Sequence, residues 1–234
     1  MGQKKQTLIL IPGSLCDERV WQHQAADLTD VADIRIPHLH GQNSLVSMAR
    51  HILADAPARF ALAGFSMGGR VALEVFRLAP ERITRLALLD ASVHPIKEGE
   101  AARRQPQIDM ARNEGLSALA KWWNPKIAHP SRHDDTTYMG LLESMARTFS
   151  ADEYEKEVRA LLERPDPRDL LGRIEVPVLI LAGAEDPLST ADRNRDMAKA
   201  IGHATLVLIE GAAHFPMLEK PAEVTAALRE WLRA

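Results

Sequence analysis

The stretch FALAGFSMGGRVAL, residues 60–73, holds the pattern that decides the fold. Its first four residues form a short apolar run that is typical of a buried strand, whereas the residues from Met67 towards Ala79 favour a helix. Ser66 stands between them in the pattern Gly-x-Ser-x-Gly, which marks a sharp strand-to-helix turn with the serine at its apex. Gly64 and Gly68 relieve the crowding that side chains would cause at so sharp a turn. We therefore expect a strand, a turn and a helix that present the Ser66 hydroxyl at the edge of a sheet.

Strand patterns alternate with helical patterns on both sides of this stretch. The other predicted strands are Thr7–Ile11, Val31–Ile36, Ile83–Leu89, Val176–Leu181 and Thr205–Ile209. Thr7–Ile11 is apolar and rich in β-branched residues, which is typical of a strand that is covered on both faces. The alternation predicts an α/β fold with a doubly wound, mostly parallel sheet.

A long segment interrupts the alternation. Residues 95–173 contain no convincing strand pattern, only helical stretches separated by Gly115 and several prolines. We interpret residues 1–94 and 174–234 as one core domain and residues 95–173 as a helical lid inserted into it.

Composition limits the function of the chain. With 46% hydrophobic and 26% charged residues, the 234-residue chain is typical of a soluble globular domain. A net charge of −3 argues against nucleic-acid and membrane partners. The apolar run Thr7–Ile11, ended by Pro12, is too short for a secretory signal, so we expect a cytoplasmic protein. The sequence gives no indication of the oligomeric state.

Ser66 requires a base, because a hydroxyl is a poor nucleophile at neutral pH. His214 follows the last predicted strand in a loop of small residues, and Asp186 follows the strand before it. Loops at the carboxyl ends of parallel strands meet at one edge of a sheet. The order Ser66, Asp186, His214 therefore predicts a nucleophile, an acid that orients the base, and the base. Asp90 and Glu185 are alternative acids.

Acyl transfer also requires N–H donors for the oxyanion. Met67, directly after the nucleophile, supplies one backbone N–H. The loop after the first strand supplies the other, either from Ser14 or from Leu15.

Five motifs show a resemblance to a known family: Ile11-Pro12-Gly13-Ser14, Gly64–Gly69, Gly183–Pro187, Gly211–His214 and Leu218-Glu219-Lys220-Pro221. The chain resembles α/β-hydrolases of the compact bacterial esterase, lactonase and carbon–carbon hydrolase type. Pro12 departs from the family pattern, which usually has histidine there. A serine in the turn, rather than an aspartate, argues against haloalkane dehalogenase and epoxide hydrolase relatives.

The resemblance implies a serine hydrolase that cleaves a small carboxylic ester, lactone or thioester. One alternative is a carbon–carbon bond hydrolase or a menaquinone-pathway-type lyase, because lyases that resemble this fold carry an arginine at the position of Arg70, where it binds a carboxylated substrate. Another is a ligand-binding protein with a vestigial triad. No cofactor is implied.

The sequence also contains candidate substrate contacts. Trp122, Trp123 and Tyr138 of the predicted lid, together with Leu15 and Arg70, are candidate walls of a pocket. The alternative is that the lid residues pack the lid onto the sheet. No metal site is expected, because Pro130 disrupts the helical spacing of His129 and His133, the best candidate ligands.

Overall fold

Burial along the first strand shows why the chain forms a sheet covered on both faces. In the computed structural model, which describes residues 5–234, β1 (Gln6–Ile11) turns Leu8 and Leu10 towards one helical layer. It turns Ile9 and Ile11 towards the other layer. Successive side chains of a strand point to opposite faces, so an unbroken apolar run requires helices on both sides. Each such side chain, when fully buried, contributes about 2 kcal/mol.

Six strands form one parallel sheet in the order β2-β1-β3-β4-β5-β6. The other strands are β2 Ala32–Arg35, β3 Phe60–Phe65, β4 Ile83–Leu89, β5 Val178–Gly183 and β6 Thr205–Ile209. The predicted doubly wound parallel sheet is confirmed. The strand β5 begins two residues later than predicted, because Pro177 lacks the N–H that a ladder requires. The strand order reverses between β1 and β3, and ligands of such sheets bind beside that point.

Two helical layers cover the sheet. The helices α1, α10 and α11 lie on one face, and α2, α3 and α9 lie on the other. Their bounds are α1 Gln22–Asp27, α2 Leu45–Asp55, α3 Met67–Leu78, α4 Glu100–Asn113, α5 Gly115–Ile127, α6 Thr136–Ala146, α7 Ala151–Leu162, α8 Arg168–Leu171, α9 Ala191–Ile201, α10 Pro216–Glu219 and α11 Pro221–Arg233. Among the helices within residues 5–234, none has the length and apolar character needed to cross a membrane.

The segment between β4 and β5, which the structure describes throughout, is helical. It contains α4 to α8 and no strand. Helices α4, α5 and α7 pack around a small apolar cluster of their own that includes Ile108, Leu119 and Val158. Leu142 and Met145 of α6 instead join the cluster on one face of the sheet. The segment therefore has a partial core and is attached to the main one.

An ion pair fastens this segment beside the loop after β4. The Arg164 side chain, only 5% exposed, lies 2.7 Å from Glu100 and also donates to the carbonyl oxygens of His94 and Pro95. Burial acts to raise the pKa of Glu100, but Arg164 outweighs burial and lowers this pKa to about 2. The ionised pair therefore stabilises the folded state at neutral pH.

We predict that Glu100→Ala lowers the free energy of unfolding at pH 7 by about 3 kcal/mol, because it leaves the charge of Arg164 buried without its partner. The folded pKa lies below the unfolded value of about 4.3, so the contribution is complete above that pH and is lost as the pH falls towards 2. Urea unfolding at pH 7, 4 and 3 measures this. The exposed Glu98→Ala is the matched control. Equal stability of both variants at pH 7 would contradict the assignment.

Candidate active site

The turn after β3 holds Ser66 in a conformation that the surrounding backbone enforces. Its φ is 53° and its ψ is −115°, a region that L-residues rarely adopt. The Ser66 N–H donates to the Leu89 carbonyl oxygen at 2.9 Å. A Cβ at Gly64 would lie 2.2 Å from the Gly68 oxygen, and one at Gly68 would lie 2.4 Å from the Ile11 oxygen. Both positions therefore require glycine, as the sequence predicts.

Three side chains from three loops meet in one hydrogen-bonded chain. His214 Nε2 lies 3.0 Å from Ser66 Oγ, and His214 Nδ1 lies 2.8 Å from Asp186 Oδ2. His214 is 4% and Asp186 is 2% exposed. Burial acts to raise the pKa of Asp186, but the imidazole of His214 and the Leu188 N–H outweigh burial and lower this pKa. The carboxylate is thus ionised at neutral pH and accepts from the ring.

The alternative acids have other contacts. Glu185 lies beside the histidine loop, where it accepts from the N–H groups of Gly211 and Ala212. Asp90 accepts from the Gly183 N–H at 2.9 Å, and its Oδ2 has no hydrogen-bond partner within the described part of the chain. Of the three carboxylates, Asp186 is the one bonded to His214.

Asp90 is nevertheless close to the site and differs from Asp186 in charge. Burial, followed by the neighbouring Asp186 carboxylate, raises the pKa of Asp90 well above its ordinary value. Two adjacent buried carboxylates do not both ionise readily, and this repulsion favours the protonated form of Asp90. Ligand atoms of Asp90, Asp186 and His214 lie within 4.8 Å of one another. The hydrogen bond between Asp186 and His214 already occupies two of these three groups, which makes the cluster a poor metal site.

Another buried carboxylate, Glu219, accepts hydrogen bonds from the histidine loop and from the helical segment. Glu219 accepts from the Ala213 N–H at 2.6 Å, from the Tyr138 hydroxyl at 2.8 Å and from the His129 N–H at 2.8 Å. The His214 N–H donates to the Ile127 oxygen at the end of α5. Glu219 therefore links the loop of His214 to the helical segment, a role that the sequence did not reveal.

The loop after β1 approaches Ser66 from the other side. Leu15 has a φ of 56°, and its N–H donates to Glu157 Oε2 at 3.1 Å. The Ser14 hydroxyl donates to the same oxygen at 2.6 Å. The Leu15 N–H is thus engaged by a residue of α7.

A cavity of about 540 Å³ opens above Ser66. Leu15, Arg70 and Trp123 line it, and their contact with a substrate stays a prediction. Trp122 and Tyr138 are not among the residues that line it. Trp122 is 40% exposed and stacks on Trp123 and Lys126, because it lies on the outer side of α5. Tyr138 points into the interior, because its hydroxyl is bound by Glu219.

The walls of the cavity combine positive charge and apolar surface. Its basic side chains are Arg70, Lys97, Arg103, Arg104, Arg164 and Arg193. Its apolar side chains from α5, α6 and the histidine loop are Trp123, Ile127, Leu142, Met145, Ala146 and Phe215. Glu100 pairs with Arg164 and Arg104. Arg70 Nη1 is buried without a hydrogen-bond partner in residues 5–234.

Comparison with known families agrees with this geometry. A model of the alpha/beta hydrolase family matches residues 8–228, nearly the whole chain. The chain belongs to this family. The resemblance predicted from the five motifs is confirmed, and the chain is a hydrolase enzyme.

Two bacterial relatives of this alpha/beta hydrolase are named as a methyl ester esterase and an enol-lactonase. The pimeloyl-acyl-carrier-protein methyl ester esterase of Photobacterium profundum is 28% identical over 242 residues, which span 97% of this chain and 94% of that enzyme. The 3-oxoadipate enol-lactonase 2 of Acinetobacter baylyi is 30% identical over 166 residues. That alignment spans 68% of this chain but 58% of the lactonase, less than two thirds of its length.

Solved structures extend the likeness to the whole fold. A thermophilic esterase from Thermogutta terrifontis is 26% identical with a TM-score of 0.87, covering 98% of this chain and 91% of that one. MenH from S. aureus has a TM-score of 0.86 over 99% of this chain and 95% of its own, at 21% identity. The second likeness concerns the fold alone.

We predict that Asp90→Asn becomes more stable relative to wild type as the pH rises from 4 to 8. The folded protein keeps a proton on Asp90 that the unfolded chain releases above about pH 4, so wild-type unfolding becomes easier as the pH rises. The amide variant has no such proton to release. Urea unfolding of both proteins at pH 4, 6 and 8 gives the difference, and a difference that does not change with pH would contradict a protonated Asp90.

Proposed function

We propose that this chain is a serine hydrolase that cleaves a small carboxylic ester, lactone or thioester through an acyl-enzyme on Ser66. The observation that carries the proposal is the chain of hydrogen bonds from Ser66 through His214 to Asp186. A hydroxyl, an imidazole and an ionised carboxylate in this order form the group that activates a serine nucleophile.

In the acylation step, Ser66 Oγ attacks the carbonyl carbon while His214 Nε2 takes the hydroxyl proton. Asp186 keeps the other ring proton on Nδ1, so that Nε2 is free to accept, and it stabilises the imidazolium that forms. His214 then gives its proton to the leaving alcohol or thiol. Water, activated by the same imidazole, attacks the acyl-enzyme and releases the acid.

Two backbone N–H groups hold the oxyanion in this scheme, those of Met67 and Ser14. Met67 is the first residue of α3, so its N–H is one of the donors that a helix leaves unpaired at its start. Ser14 is favoured over Leu15, because the Leu15 N–H already donates to Glu157. A single donor of this kind is worth about 10²–10³ in rate.

We predict that Ser66→Ala lowers kcat on a nitrophenyl ester by about 10⁶-fold, since a nucleophile and its base act as a unit. The exposed Ser131→Ala is the control and should keep full activity. A fluorophosphonate probe should label wild type and not Ser66→Ala. Full activity in Ser66→Ala would contradict the mechanism. A wild type that neither turns over esters nor reacts with the probe would favour a ligand-binding protein with a vestigial triad.

The charge of the cavity supports an anionic substrate. Burial, followed by the neighbouring Arg164, lowers the pKa of Arg70 to about 9, so Arg70 remains charged at neutral pH. A buried guanidinium with a free Nη1 gains from an anionic partner, and a carboxylate offers the two acceptors that fit it. The same observation favours a second candidate function, carbon–carbon bond hydrolysis or elimination of a carboxylated substrate with acid–base work by the same three residues.

We predict that Arg70→Met lowers kcat/KM for the half-ester monomethyl glutarate by about 10²-fold, because loss of one partner of a buried charge pair costs about 2–5 kcal/mol. The neutral dimethyl glutarate should be turned over at the wild-type rate. The exposed Arg50→Met serves as the control. Equal effects on the half-ester and the diester would show that Arg70 does not recognise the substrate charge.

A further inference from the structure

One buried carboxylate of the helical segment contacts the loop after β1. Glu157 of α7 is 6% exposed. A single oxygen, Oε2, accepts from the Ser14 hydroxyl at 2.6 Å and from the Leu15 N–H at 3.1 Å. Oε2 of Glu157 is therefore bonded to both residues that were the alternatives for the second oxyanion donor.

This loop requires an external support. Leu15 has a φ of 56°, a left-handed conformation that costs a residue with a Cβ about 1 kcal/mol or more. Within the loop, the Cys16 N–H donates to the Gly13 oxygen at 3.3 Å, a long hydrogen bond. The hydrogen bonds to Glu157, at 2.6 Å and 3.1 Å, therefore stabilise the loop in this conformation.

Helix α7 is itself fixed one turn earlier. Glu153 Oε1 lies 3.0 Å from His40 Nδ1, and the His40 ring stacks on Phe149 at 4.5 Å between centroids. Glu153 and Glu157 are four residues apart, so both lie on the same side of α7. The position of Glu157 is thus set by the docking of α7.

The surroundings make Glu157 sensitive to pH near neutrality. Burial raises the pKa of Glu157 to about 7, opposed by the Ser14 hydroxyl, the Leu15 N–H and His40. The other titratable groups facing it or sharing its cleft are Cys16, Asp17, Glu18, His38, Glu153 and Tyr154. An ionised carboxylate accepts both hydrogen bonds, whereas protonation weakens its acceptor oxygen.

We propose that Glu157 is a positioning residue for the oxyanion site, which holds the loop of Ser14 and Leu15 in the conformation in which the Ser14 N–H serves the oxyanion. The proposal rests on the proposed function above. It makes the helical segment a part of the catalytic apparatus as well as a wall of the cavity.

Two variants of Glu157 test the proposal. Glu157→Ala removes the acceptor, and we expect kcat on a nitrophenyl ester to fall by about 10²-fold, as for the loss of one oxyanion donor. Glu157→Gln keeps an acceptor oxygen without its ionisation, so it should retain most of the activity and remove one ionisation from the acidic limb of the kcat–pH profile. The exposed Glu163→Ala, at the end of α7, carries the same substitution and should behave as wild type.

A pair of ketones separates positioning from a general structural role. A trifluoromethyl ketone adds to Ser66 and places an oxyanion in the site, whereas the matching methyl ketone binds without an oxyanion. Glu157→Ala should lower the affinity for the trifluoromethyl ketone by the same factor as it lowers kcat/KM. Its affinity for the methyl ketone should stay at the wild-type value. Equal weakening of both ketones, or wild-type affinity for both in Glu157→Ala and Glu157→Gln, would overturn the proposal. Failure of the wild type to form the adduct on Ser66 would instead contradict the proposed function.

Discussion

Ser66 has a positive φ, a backbone conformation that residues with a side chain rarely adopt. The geometry of the site depends on this conformation. Such a conformation costs about 1–3 kcal/mol and persists only where its surroundings enforce it. Here β3 is buried along its whole length, Gly64 and Gly68 allow backbone contact, and Leu89 of the next strand accepts the Ser66 N–H. The parallel sheet thus fixes the turn, and the turn aims the hydroxyl at His214.

The helical segment covers the site and also forms hydrogen bonds to two of its loops. The Ile127 oxygen at the end of α5 accepts from the His214 N–H, and Tyr138 of α6 donates to Glu219, which also accepts from the N–H of the preceding residue, Ala213. Glu157 of α7 holds the loop after β1. The loop of His214 and the loop after β1 are therefore both bonded to this segment, either directly or through Glu219. Movement of these helices would alter the site directly.

The sequence predicts the fold more completely than it predicts the site, and the reasons are physical. Unbroken apolar runs and the Gly-x-Ser-x-Gly turn are local signals, so all six strands and the family were predicted correctly. Ser66, Asp186 and His214 lie together as strand order implies, while their roles stay predictions. The sequence does not show which side of α5 faces the cavity, and Trp122 lies on the outer side. Glu157 was missed, although it falls on the buried face of α7 with Tyr154, Val158 and Leu161. A charged residue at apolar spacing is the signal that could have revealed it.

The covalent acyl intermediate that we propose on Ser66 can be detected by rapid-quench mass spectrometry. An activated ester is mixed with the enzyme, quenched in acid within milliseconds and digested. If Ser66 is acylated, the peptide containing Ser66 gains the mass of the acyl group, and this species decays at the rate of turnover. Turnover of the ester with no acylated peptide at any time would contradict acylation of Ser66, and it would favour acid–base chemistry by the same three residues.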